Sequence, residues 1–124
     1  MIYGVGIDLI EVPRVEKQIN SGTRFRDRIF TDKEIAYCEN KKNKSQNYAA
    51  RFAAKEAFFK AMGTGWSGGL TFQDVEILNL ESGKPEIVLH GKAKRIVEEQ
   101  NILNIQVSLS HLKDVAGAVV VLEK

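Results

Sequence analysis

Glu56 and Lys60 are four residues apart in Arg51-Phe-Ala-Ala-Lys-Glu-Ala-Phe-Phe-Lys-Ala61, a stretch otherwise rich in alanine and phenylalanine. With Glu56 at zero and 100° per residue, Phe52 and Phe59 fall on one flank and Ala49 and Ala53 on the other. Lys60 is close above. A carboxylate in such surroundings is costly unless an ion or a cation compensates it, so both side chains are expected to be partly desolvated. The bland alternative is an exposed i,i+4 pair worth only ~0.2–0.5 kcal/mol.

A second carboxylate, Asp8, shares one face of a strand-like run with Gly4 and Gly6. Bare positions in a strand imply close approach of another backbone or a ligand, and here they are expected to clear space for a ligand. Asp8-Leu-Ile-Glu11 also matches a capping box, which gives Asp8 a purely structural reading. Two acidic oxygen donors, one from a strand end and one from a helix, suit Mg²⁺. That ion takes few carboxylates, keeps waters and draws its other ligands from phosphates. Lys60 would then neutralise phosphate rather than pair with Glu56.

Other reactive side chains say less. His111 ends a strand in phase with Ile105, Val107 and Leu109, where a lone histidine is more often structural than catalytic; His90 has less to recommend it. Gly63-Thr-Gly65 and Gly68-Gly69 follow a helix and lack the Lys-Ser/Thr ending of a P-loop, so they make no nucleotide motif. Cys38 lies inside a helical pattern and reads as packing. As the single cysteine it cannot form an internal disulfide, which fits a reducing compartment.

The elements that must position these groups alternate between strand and helix patterns. Residues 2–8 read as a strand, and Pro13 opens a helix with Val12, Val15 and Ile19 as its apolar stripe, ending at Ser21-Gly22. Thr31-Asp-Lys-Glu34 is a capping box for a helix to about Glu39, with Phe30 and Ile35 as its staple. A lysine-rich loop from Asn40 to Ser45 precedes the longest helix, Gln46 to Met62. That helix carries a stripe of Ala50, Ala54, Ala57 and Ala61 where something can pack closely. After a glycine-rich loop at 63–69, strands are expected around 74–80 and from Pro85 to His90, joined by the turn Glu81-Ser-Gly-Lys84. A helix from Gly91 to about Gln100, a strand Ile105 to Ser110 and a nearly continuous apolar strand Ala116 to Leu122, expected to be central, complete the chain. This is an α+β class, an antiparallel sheet packed against one long helix in a single domain spanning 1–124.

Composition excludes several classes. The 124 residues are 44% hydrophobic and 27% charged, which is ordinary for a soluble domain, and no apolar run approaches the length of a membrane span. The apolar start carries Asp8 and Glu11 without a basic leader and is expected to be a buried strand rather than a signal peptide. A cytoplasmic protein is expected. Net charge is only +2, yet Arg14, Lys17, Arg24, Arg26 and Arg28 face only Glu16 and Asp27 between residues 12 and 28. Lys41, Lys42 and Lys44 form a second basic cluster. A small RNA-binding domain is the rival reading, but these basic residues are not interleaved with the exposed aromatics that base stacking needs. A module that binds a nucleotide without turning it over is the other rival.

Gly4-Val-Gly-Ile-Asp8-Leu-Ile-Glu11, the stretch around Glu56, Gly63-Thr-Gly65, Ser82-Gly-Lys-Pro85 and Ser108-Leu-Ser-His111, in this order and rough spacing, closely resemble the holo-acyl-carrier-protein synthases. The resemblance covers nearly the whole chain and is most specific around Glu56. It implies the 4′-phosphopantetheinyl transferase fold. It also implies transfer of phosphopantetheine from coenzyme A to a serine of an apo acyl carrier protein, Mg²⁺-dependent, with 3′,5′-ADP leaving. Asp8 and Glu56 would bind the metal and Lys60 the phosphates. Gly63, Gly65, Lys84, Pro85 and His111 would line the coenzyme A cleft, and one of Lys41, Lys42 or Lys44 would meet the 3′-phosphate. Arg14, Arg24 and Arg28 match positions that dock the acidic carrier. The family is trimeric with active sites between subunits, and neither nucleic acid nor membrane is an implied partner. Either Glu56 or a metal-bound water could take the serine proton.

Overall fold

Gly4 and Gly6 determine how the protein is layered. Strand β1 (Ile2–Glu11) lies directly on helix α4 (Lys44–Met62). A methyl group added at Gly4 or Gly6 would sit on the carbonyl oxygens of Ala61 or Ala57. Two bare positions on the strand therefore meet the alanine stripe of the helix, and no side chain fits at either glycine. The space expected for a ligand is filled by the backbone of α4.

The computed structural model describes residues 1–63 and 69–124. After β1 come α1 (Val12–Asn20), α2 (Arg24–Ile29), α3 (Asp32–Glu39) and α4. A 3₁₀ turn Phe72–Asp74 then leads into β2 (Val75–Asn79), β3 (Pro85–Leu89), α5 (Gly91–Glu99), β4 (Asn104–His111) and β5 (Val115–Glu123). The strands form two antiparallel sheets, β1-β5-β4 and the hairpin β2-β3, rather than one. β5 is central in the larger sheet, and its inward residues Ala116, Ala118, Val120 and Leu122 are all buried. Only the inner face of β5 meets the core. On the outer face Val5, Ile7 and Leu9 of β1 are 56%, 63% and 70% exposed, an apolar surface with no cover in a single chain.

Local boundaries follow local chemistry. β1 continues three residues past Asp8, paired with β5 as far as Glu11↔Val115. Asp8 is therefore in mid-strand, and the residue capping α1 is Glu11, without a side-chain bond. Thr31 accepts from the Glu34 amide while Glu34 accepts from the Thr31 amide, the reciprocal pair that the sequence pattern requires. α4 begins at Lys44, so the lysine loop is shorter than expected, and it stops at Gly63, whose φ of 78° suits glycine. Residues 24–29, which the pattern left open, are helical.

Candidate active site

Asp8 is held on β1 opposite Ala118 of β5, on the face turned to α4. Glu56 comes from α4, half-buried. Burial raises the Glu56 carboxyl above the ordinary carboxylate range, and the charge of Asp8 adds to the rise while Lys60 opposes it. The structure thus brings together the two carboxylates that the sequence singled out.

Lys60 does not use Glu56, its neighbour one turn earlier. Its ammonium donates to Asp8 Oδ1 at 2.9 Å and to the carbonyl of Ile7 at 3.0 Å, so helix and strand are tied across the site. The side chain is 53% exposed while that of Asp8 is 15% exposed. Lys60 is therefore more open to solvent than the apolar helix implied.

Two carboxylates, one of them reluctant to ionise, are what a divalent cation would relieve. No cluster of three or more metal-ligating side chains occurs among the described residues. Mg²⁺ does not need one, since it is commonly held by one or two carboxylates plus substrate phosphates and water. The donor set fits that ion, with Lys60 now serving as the local counter-charge.

Other expected site residues are spread more widely. His111 ends β4, separated from β1 by β5, and its ring Nδ1 lies 3.4 Å from the Leu112 carbonyl. Lys84 lies in the β2–β3 turn and Pro85 opens β3 opposite Asn79. None of these three is bonded to Asp8, Glu56 or Lys60. Gly63 is the cap of α4; Gly65 lies outside the described residues. Lys41 is over the Tyr37 ring at 4.7 Å, Lys44 pairs with Glu39 at 3.4 Å, and Lys42 is exposed.

Arg14, Arg24 and Arg28 are all exposed. Arg24 and Arg28 line a groove of about 490 Å³ with Gln18 and Phe25, and Arg14 lines an adjoining one with Gln18, Phe25 and Phe52. Phe52 is one turn before Glu56 on α4, so the groove that Arg14 lines borders the helix that carries this carboxylate.

Sequence reasoning missed the buried polar residues behind the site. Lys55 is fully buried and its ammonium donates to Glu34 Oε1 at 2.9 Å, to the Phe72 carbonyl at 2.9 Å and to the Val75 carbonyl at 2.6 Å. Glu34 Oε2 accepts from the Ile77 amide at 2.8 Å. Arg51, 2% exposed, donates to Asn79 and stacks over Tyr37. A lysine and an arginine inside a helix apolar around most of its girth were the available signal. Cys38 is fully buried and burial pushes its thiol up to about 12, so it is the inert packing residue expected.

With this geometry in view, comparison with known proteins is specific. Residues 4–120 match the 4′-phosphopantetheinyl transferase superfamily. The chain is 50% identical over 124 residues to a holo-[acyl-carrier-protein] synthase of Solibacter usitatus, covering 99% of both chains. Its fold is similar to the crystal structure of the holo-[acyl-carrier-protein] synthase of Neisseria meningitidis, with a TM-score of 0.92, 37% identity and all of both chains covered. It is similar too to the Bacillus anthracis holo-(acyl-carrier-protein) synthase in complex with CoA (3′,5′-ADP), with a TM-score of 0.83 and 37% identity, covering 100% of this chain and 98% of that one.

Proposed function

This chain belongs to the 4′-phosphopantetheinyl transferase superfamily, and on that premise we propose that it is a holo-acyl-carrier-protein synthase acting at the Asp8–Lys60–Glu56 cluster. It transfers 4′-phosphopantetheine from coenzyme A to a serine of apo acyl carrier protein. The observation that carries the assignment of the site is the pair of carboxylates on β1 and α4 with a half-exposed ammonium bonded between strand and helix.

The serine oxygen attacks the β-phosphorus of coenzyme A. A new phosphorus–oxygen bond forms there, the bond from that phosphorus to the bridging oxygen breaks, and 3′,5′-ADP departs with the bridging oxygen. Asp8 and Glu56 would hold Mg²⁺, and the ion would supply charge neutralisation for the diphosphate. Lys60, half-exposed on its stem, turns from Asp8 to the phosphates and offsets charge on the leaving group. Either Glu56 or a water held at the site would accept the serine proton. Positioning and charge neutralisation supply most of the rate in chemistry of this kind.

The active unit is a homotrimer with the cleft shared between neighbours, and its setting is the cytoplasm. Two observations support the shared cleft: the apolar outer face of β1 is uncovered, and His111, Lys84 and Pro85 make no bond to the carboxylates of their own chain. Arg14, Arg24 and Arg28 form the surface for the acidic carrier. Release of 3′,5′-ADP that requires coenzyme A, apo carrier and divalent metal together tests the reaction. Tight coenzyme A binding with no release would instead make this a binding module. Sedimentation equilibrium of the active enzyme tests the assembly, and a fully active monomer would refute the shared cleft.

A further inference from the structure

We propose that Gln73 is a positioning residue for the carrier protein: its side chain ties α2 to the 3₁₀ turn behind the site and so fixes Arg24 and Arg28 relative to Glu56. This rests on the reading of those arginines as the docking surface.

α2 has only six residues, its N-cap Thr23 provides no side-chain bond, and Ile29 alone among its residues is buried. Helices so short do not hold themselves, and their final carbonyls lack partners within the helix. Gln73 supplies them. Its amide nitrogen donates to the carbonyl of Asp27 at 2.7 Å and to that of Phe30 at 2.9 Å, using both of its protons. Gln73 is the middle residue of Phe72–Asp74, and that turn is held by Lys55 through the carbonyls of Phe72 and Val75. Lys55 immediately precedes Glu56 on α4. An unbroken mechanical path therefore runs from the carboxylate through Lys55, the 3₁₀ turn and Gln73 to the arginine-bearing helix.

Arg28 stands where this path meets the surface. It lines the groove shared with Arg24 and Phe25 and also a second groove of about 350 Å³ walled by Leu70, Thr71, Phe72 and Gln73. A carrier gripped by Arg24 and Arg28 can present its serine correctly only if their distance from Glu56 is constant. Misplacement of reacting groups by about 1 Å can cost on the order of a hundredfold in rate. Gln73 is exposed and bonds to none of the groups assigned to coenzyme A, so its effect should fall on one substrate only.

The test is a double-mutant cycle between Gln73→Ala and Arg28→Ala, with kcat and KM measured for carrier and for coenzyme A and with melting temperatures recorded. Gln73→Ala should lower kcat/KM for the carrier about tenfold, and Gln73→Glu more, because a carboxylate would face two carbonyl oxygens. KM for coenzyme A should hold. In the Arg28→Ala background the effect of Gln73→Ala should shrink to about twofold, the mark of one residue acting through another. Fully additive losses, equal losses for both substrates alongside a lower melting temperature, or no loss at all would each overturn the proposal. If Arg24→Ala and Arg28→Ala themselves leave the carrier KM unchanged, the docking surface is wrong and Gln73 falls with it.

Discussion

Lys60 Nζ lies 2.9 Å from Asp8 Oδ1, across the gap between α4 and β1, and among the described residues no ion pair joins it to Glu56 on its own helix. An ammonium and a divalent ion on Asp8 exclude one another by charge. Lys60→Met should therefore tighten Mg²⁺ binding by about three- to fivefold while transfer falls on the order of a hundredfold. Calorimetric titration of the metal reads the first quantity. Weaker metal binding by the variant would mean that Lys60 helps to build the metal site.

Asp8→Asn and Glu56→Gln should each remove most transfer and leave the fold intact. The Glu56 change carries a stability signature as well. Its folded pKa lies above the unfolded value, so the native state binds the proton more tightly, and stability is lost as pH rises through the shifted value. Glu56→Gln keeps the neutral form. In metal-free buffer at neutral pH it should melt about 2 °C above wild type, and the gap should close near pH 4. A lower melting temperature at neutral pH would place Glu56 in a favourable ion pair instead.

The Lys55–Glu34 pair is fully buried, with every ammonium proton used. Removing one member of such a pair leaves a charge without its partner. Glu34→Gln should cost on the order of 3–5 kcal/mol in urea unfolding. A loss below about 1 kcal/mol would mean that water reaches Lys55 once Glu34 is neutral.

The carboxylates were legible because Asp8 and Glu56 interrupt apolar patterns, and an interruption in a pattern is visible in one dimension. Their meeting was not, since it depends on Gly4 and Gly6 seating β1 on α4. The same glycines were misjudged as space for a ligand because a bare strand position looks alike from sequence whether a helix or a ligand fills it. The capping box at Thr31 and the glycine stop at Gly63 were legible because both act within a few residues. The burial of Lys55 and Arg51, and the second role of Glu34 as the counter-charge to Lys55, were not, because those partners are 17 to 43 residues away. The split into two sheets was hidden for the same reason: strand patterns carry no information on which strand pairs with which.

Arg14 is exposed on α1, opposite the buried stripe of Val12, Val15 and Ile19. Arg14→Ala should raise KM for the carrier and Arg14→Glu should raise it further, with KM for coenzyme A nearly unchanged. Added salt should weaken the wild type more than the Arg14→Glu enzyme. Equal losses for both substrates would place Arg14 in the active site itself. No loss would move the docking surface elsewhere, to the Lys41–Lys44 loop first.

The most direct measurement is intact-mass analysis of an apo acyl carrier protein after incubation with this protein, coenzyme A and Mg²⁺. The carrier should gain the mass of one 4′-phosphopantetheine on its acceptor serine, with an equal amount of 3′,5′-ADP released. The gain should vanish with Glu56→Gln or in chelator. An unmodified carrier under conditions where coenzyme A is bound, or undiminished modification by Glu56→Gln in chelator, would contradict the account.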